Sequence, residues 1–252
     1  MPIIETKRGK IHYKDYRKDS SSNTPYLLIH GAGSQYMDFP SLMRRNLQTI
    51  AIELPSHGRS PQRDSASIED YAQDIIAFLD ALNLEKVIVI GHSMGGGIAQ
   101  QIALDYPERL KGLILIATGA RLAVNSAIIE GILTHPEETA RSVTRWSWGN
   151  FADDALIEQG IAHLLETPLE LIQGDYIACN QFDVRSRLSE IKAETLIIAG
   201  AKDKMTPLEW NQALADNIPN NLLAIFEKSG HMVHVEQVEA VIDLIRDWAE
   251  KI

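Results

Sequence analysis

The sequence predicts an α/β fold: a mostly parallel central sheet flanked by helices and carrying a helical cap insertion. Three observations predict it. Six short runs are apolar on consecutive residues rather than on alternate ones, as strands buried on both faces require. Helical patterns separate most of these runs, and strand followed by helix, repeated, implies parallel pairing. One stretch, residues 121–190, holds helix-like segments and no buried-strand run.

Ahead of the first buried run, residues 2–6 and 10–16 read as a hairpin joined at Arg8 and Gly9, and residues 19–24 as a polar loop. The buried runs are 26–30, 49–54, 86–90, 113–117, 195–199 and 222–226. Ser67 caps a helix, with Asp70 three residues on and Tyr71, Ile75, Phe78, Leu79 and Leu82 at helical spacing. Further helices are expected at 94–106, 207–217 and 235–252. Within the insertion they are expected at 126–133, 137–146, 153–166 and 169–180. The expected division is a core of residues 1–120 and 191–252 with a cap at 121–190. The cap aromatics Trp146, Trp148, Phe151, Tyr176 and Phe182 either line a ligand cavity or pack cap against core.

The chain has 252 residues, 45% hydrophobic and 23% charged, which suits one soluble α/β domain with an insertion. A net charge of -10 argues against a nucleic-acid partner, because affinity for phosphate backbones comes from Lys and Arg. The one cysteine, Cys179, has no internal disulfide partner. The opening residues lack a signal-peptide core, and no run reaches the roughly 18 to 20 apolar residues of a membrane span. The expectation is a cytoplasmic protein without a membrane partner.

The strand at 86–90 runs into Gly91-His92-Ser93-Met94-Gly95, and a helix follows at once. This is G-x-S-x-G between strand and helix, where a strained turn lifts the serine hydroxyl clear of the sheet and small neighbours let the two elements pass. The pattern alone arises by chance in about one chain in ten of this length; its placement makes it specific. A serine hydroxyl needs a base, and the base an orienting acid. Asp203 follows the strand at 195–199 and His231 follows the strand at 222–226, in the order Ser, Asp, His. His234 is the rival base, Glu227 and Glu236 the rival acids, and His92 reads as a packing group. For the oxyanion, the N–H of Met94 and that of Ala32 in His30-Gly31-Ala32-Gly33 are the assigned donors, with Gly33 as the alternative to Ala32. Position 36 is Tyr, so no dinucleotide fingerprint forms, and no Walker or H-E-x-x-H sequence occurs. No cofactor or metal is expected.

Residues 30–33, 53–60 (Glu-Leu-Pro-Ser-His-Gly-Arg-Ser), 91–96 and 200–203 with Gly230-His231 together resemble the α/β-hydrolase superfamily and its cap-bearing branch of small-molecule esterases. The resemblance runs from about residue 26 onward and places the cap where that branch inserts its lid. Glu53 departs from the usual Asp and is expected to be structural. Ser at position 93, where relatives that cleave carbon–halogen bonds or epoxides carry Asp, disfavours that chemistry. The resemblance implies hydrolysis of a small-molecule ester; lactonases and carbon–carbon bond hydrolases share the triad. Arg121, Arg141, Arg145, Arg185 and Arg187 are the candidates for gripping a substrate carboxylate. A ligand-binding protein that keeps the fold without the chemistry is the remaining alternative.

Overall fold

The computed structural model describes residues 2–18, 24–63, 67–148 and 152–252. The opening hairpin pairs β1 (Ile3–Thr6) with β2 (Gly9–Asp15) antiparallel. Six strands follow: β3 (Tyr26–Ile29), β4 (Ile50–Ile52), β5 (Val87–His92), β6 (Leu110–Ile116), β7 (Thr195–Gly200) and β8 (Asn221–Phe226). Among the described residues these form one sheet of order β1-β2-β4-β3-β5-β6-β7-β8, parallel from β4 to β8. The 19–24 loop expectation falls mostly on residues outside the described ones.

Strand alternation explains why the runs are apolar at consecutive positions. Leu27, Val87, Val89, Leu113 and Leu115 pack on one face with Ile75 and Phe78 of α2 (Ile68–Ala81) and Ile98 and Ile102 of α3 (Met94–Asp105). Leu28, Ile88, Ile90, Ile114 and Ile116 pack on the other with Met43 of α1 (Ser41–Asn46). α2 starts on the expected capping box: Ser67 Oγ accepts from the Asp70 N–H at 3.1 Å, and Asp70 Oδ2 accepts from the Ser67 N–H at 3.2 Å.

Between β6 and β7 the chain leaves the sheet as α4 (Ser126–Thr134), α5 (Pro136–Ser147), α6 (Asp154–Leu165) and α7 (Leu169–Gln181). The neck of this insertion is closed by an antiparallel bridge between Arg121 and Asp183, and by Val184 N–H to Ala120 C=O at 2.8 Å. Its helices share small cores of their own, one of Ile132, Ile172 and Tyr176 and one of Ala140, Ile157 and Ile161. Cys179 and Phe182 join the main core instead.

After β7 come α8 (Leu208–Asn217), α9 (Val233–Glu236) and α10 (Val238–Ala249). The expected closing helix at 235–252 is therefore two helices, broken at Gln237, and the short first one carries Val233 and His234 into the core. β8 differs from a strand buried on both faces: Leu222 and Ile225 are exposed, because β8 ends the sheet and has a neighbour on one side only. No helix of the described residues is long and apolar enough to cross a membrane.

Candidate active site

Ser93 stands between β5 and α3 with φ 54° and ψ -117°, a conformation that side-chain-bearing residues rarely adopt. Crowding explains its neighbours: a Cβ on Gly91 would overlap the carbonyl of Gly95, and one on Gly95 would overlap the carbonyl of Ile29. Backbone bonds hold the turn, with Ser93 N–H donating to Ile116 C=O at 3.0 Å and Thr118 Oγ1 donating to Ser93 C=O at 2.8 Å. Met94 opens α3, so its N–H belongs to the first helical turn, where backbone donors lack intrahelical acceptors.

Asp203 lies in the loop after β7 and His231 in the loop after β8. His231 Nδ1 is 2.8 Å from Asp203 Oδ2, and both side chains are buried. The carboxylate is further gripped by the N–H groups of Met205 (2.8 Å) and Thr206 (2.9 Å) on Oδ1, and by Thr206 Oγ1 (2.6 Å) on Oδ2. Burial alone would raise the Asp203 pKa, but the adjacent imidazole and these hydrogen bonds outweigh it and hold the carboxyl below its ordinary range. Thr206 is a site residue that sequence reasoning missed; its signal is a hydroxyl three residues after the acid.

The rival residues sit elsewhere. Glu227 is exposed, and Glu236 accepts from the Gly230 N–H at 2.9 Å rather than meeting the imidazole. His234 is buried between Phe39 and His92, with ring centroids at 5.2 and 4.4 Å, and burial pushes its pKa down to about 4. His92 packs against His231 with centroids at 4.8 Å, and its Nε2 lies 3.1 Å from the His231 carbonyl. Burial, reinforced by the neighbouring imidazoles, holds it well below the ordinary histidine range. Glu53 is buried, accepts from the Arg59 N–H at 2.6 Å, and packs so closely under Gly58 that a Cβ there would overlap its carboxylate.

Ser93, His231 and Ala32 line one cavity of about 490 Å³ between the sheet edge and the insertion, with Asp203 behind His231. Its walls are mainly apolar: Leu122, Val124 and Ile128 face it from the insertion side, Trp210 and Val235 from the sheet side. The aromatics divide. Trp146, Trp148 and Tyr176 line the cavity, Phe182 packs against α3 near Gly97, and Phe151 lies outside the described residues. None of the five candidate arginines lines it; four are paired at the surface, Arg141 with Glu158, Arg145 with Asp154, Arg185 with Asp183 and Arg187 with Glu190. The polar lining includes Ser34, Asp38 and His163. Ser34 Oγ donates to Asp38, and His163 Nε2 is 2.8 Å from Asp38 Oδ1.

A model of the alpha/beta hydrolase family matches residues 26–244. The 2-hydroxy-6-oxo-6-phenylhexa-2,4-dienoate hydrolase of Burkholderia cepacia is 25% identical, over 98% of this chain and 94% of its own length. A pimeloyl-acyl-carrier-protein methyl ester esterase of Neisseria meningitidis is 28% identical, over 88% of this chain and 76% of its own. A solved thermophilic esterase from Thermogutta terrifontis matches with a TM-score of 0.86 and 26% identity, covering 99% of this chain and 98% of that one. With the serine turn, the parallel sheet and a family match that spans most of its length, this chain belongs to the alpha/beta hydrolase family.

Proposed function

We propose that this protein is a serine hydrolase that cleaves carboxylic esters of small or medium-sized molecules through an acyl-enzyme. Residues 121–190 then act as the lid of a core formed by 1–120 and 191–252. One observation carries the reading: a serine on a strained turn shares a cavity with an imidazole whose far nitrogen lies 2.8 Å from a buried carboxylate.

In this mechanism Ser93 Oγ attacks the ester carbonyl while His231 Nε2 takes its proton. The Asp203 carboxylate keeps the imidazole proton on Nδ1, so that Nε2 is the acceptor, and stabilises the imidazolium as it forms. The N–H groups of Ala32 and Met94 meet the oxyanion. Gly33 is the weaker alternative, because its N–H is already committed to Asp175 Oδ2 at 2.8 Å. The tetrahedral intermediate collapses, His231 returns the proton to the departing alkoxide, and water activated by His231 releases the acid.

Carbon–carbon bond hydrolysis or lactone opening is the second reading, and the Burkholderia relative favours it. The substrate in that relative's name is a carboxylate, whereas the ammonium of the exposed Lys204 is the strong cation on this cavity's wall among the described residues. A neutral ester suits an apolar cavity better, since an unpaired buried carboxylate is costly. Short p-nitrophenyl esters and a fluorophosphonate probe test the proposal, with the labelled residue located by mass spectrometry. Ester turnover with the label on Ser93 supports it. Neither turnover nor label would refute it, and faster turnover of a dienoate or a lactone than of any ester would favour the second reading.

A further inference from the structure

The oxyanion-loop residue Gly33 is held at both of its backbone groups by the insertion. Its N–H donates to Asp175 Oδ2 on α7 at 2.8 Å, and its C=O accepts from Thr167 Oγ1, just before α7, at 2.9 Å. Gly33 has φ 63°, and a Cβ there would come within 3.1 Å of Ile172 Cγ1 and 3.2 Å of Leu164 Cδ1, so the insertion rests directly on this residue.

Asp175 is itself a hub. It is 1% exposed, with Oδ1 accepting from Tyr71 of α2 at 2.8 Å and Oδ2 lying 2.8 Å from His57 Nε2. His57 Nδ1 faces the Pro55 carbonyl at 3.0 Å. Both ring nitrogens therefore point at acceptors, and only an imidazolium donates to both. Burial disfavours that charge, but the charge and hydrogen bond of Asp175 outweigh it, so the His57 pKa is raised. The same partnership overcomes burial in the other direction and lowers the Asp175 pKa. The groups facing His57 are Asp175 from α7, Tyr71 from α2, Glu53 after β4, and the His30 ring at 4.9 Å. His30 stays neutral: its Nε2 accepts from Leu54 N–H at 3.1 Å, and burial lowers its pKa to about 4.

A buried ion pair is an expensive anchor for a loop that apolar packing could hold. What it gains here is direction, because a charge-assisted bond fixes the Gly33 peptide next to Ala32, and Gly31 on the other side would place a Cβ 3.4 Å from Ser93 Cβ. We propose that Asp175 and Thr167 are positioning residues: acting through Gly33, they aim the Ala32 N–H at the oxyanion, while His57 holds the Asp175 carboxylate in place at 2.8 Å. This rests on the reading of Ser93 as nucleophile and Ala32 as donor.

The test separates the contact from its consequence. Asp175→Asn and Thr167→Val are expected to lower kcat by about 10- to 100-fold, the penalty of a misplaced group, with KM within about two-fold. Thr167→Ser, which keeps the hydroxyl, restores kcat. A trifluoromethyl ketone analogue of the ester loses affinity in step with kcat/KM. In ¹⁵N-labelled protein the Gly33 amide proton moves upfield in Asp175→Asn. Unchanged kcat in the folded variants, a loss that Thr167→Ser shares, or an unmoved Gly33 amide each overturns the proposal. Should Asp175→Asn fail to fold, Thr167→Val at a partly buried position decides. If the wild-type protein neither turns over esters nor takes the fluorophosphonate, yet Asp175→Asn still moves the Gly33 amide, the hydrolase reading and the positioning role fall while the contact stands.

Discussion

Asp203→Asn separates the proposed charge and tautomer mechanism from simple packing. The Asp203 carboxylate receives donors on both oxygens: the N–H groups of Met205 and Thr206 on Oδ1, His231 Nδ1 and Thr206 Oγ1 on Oδ2. An asparagine keeps its oxygen on the two fixed backbone donors, since a side-chain NH₂ there would oppose N–H to N–H. Its NH₂ then faces His231 Nδ1 and makes that nitrogen the acceptor. The imidazole proton moves to Nε2, which turns the base toward Ser93 as a donor. Thr206 can rotate its hydroxyl, so folding loses little beyond the charge assistance, about 1.5 to 3 kcal/mol. Catalysis loses far more. The template triad gives about 10⁴ in kcat for this change, which is about 5 kcal/mol of transition-state stabilisation. The assay is ester turnover near neutral pH, with folding checked by circular dichroism. Activity within tenfold of wild type in a folded Asp203→Asn would refute the assignment of this acid.

Three further outcomes follow from the geometry. Ser93→Ala and Ser93→Gly should both abolish turnover, by about a millionfold on the template, but the glycine variant should be the more stable by about 1 kcal/mol, because glycine relieves φ 54°; equal melting temperatures would show that the turn relaxes. His57 has a raised pKa, so its contribution to stability is complete below its ordinary 6.5 and fades as pH rises through the folded value. Asp175, lowered, contributes above its ordinary 3.8 and fades as pH falls through the folded value. His57→Gln should therefore flatten the decline in melting temperature as pH rises above His57's ordinary 6.5, and an unchanged slope would deny the ion pair. His234→Phe should keep activity within tenfold, since the ring packs between Phe39 and His92 outside the cavity wall; a loss as large as that of Ser93→Ala would make it the base.

The parts legible in the sequence are those that local chemistry determines. The buried runs, the Ser67 cap and all four insertion helices lie within a few residues of expectation, because period and capping are short-range signals. The glycines around Ser93 were readable for the same reason, since each answers a steric demand from its own turn. The strand ends that carry Asp203 and His231 followed from the alternation of elements. Asp175 was not legible as a partner of Gly33, because nothing local joins residues 142 positions apart. A signal did exist: Asp175 sits on the same face of α7 as the buried Ile172, Tyr176 and Cys179, and a carboxylate on an apolar stripe must find a buried partner. α1 lacked enough apolar period to be seen, and the break at Gln237 arises from core packing of Val233 and His234 that no helical pattern announces.

Histidine crowding at the site sharpens the electrostatic argument. His92 lies 4.8 Å from His231, ring to ring, with His234 packed at a tilt beyond it, 4.4 Å from His92. In the proposed mechanism, a positive charge on His92 would oppose the imidazolium that forms on His231 in the transition state. At that distance and an effective dielectric near 20, the repulsion is about 3 kcal/mol, on the order of a hundredfold in rate. Burial removes the problem by keeping both neighbours neutral, and His92 serves instead as a hydrogen-bonding partner of the His231 carbonyl. The imidazoles whose affinity for a proton is raised, His57 and His163, each face an aspartate of their own, Asp175 and Asp38. Charge that the proposed mechanism places on His231 would thus be met first by Asp203, and the histidines His92, His234, His57 and His163 are either neutral or already balanced.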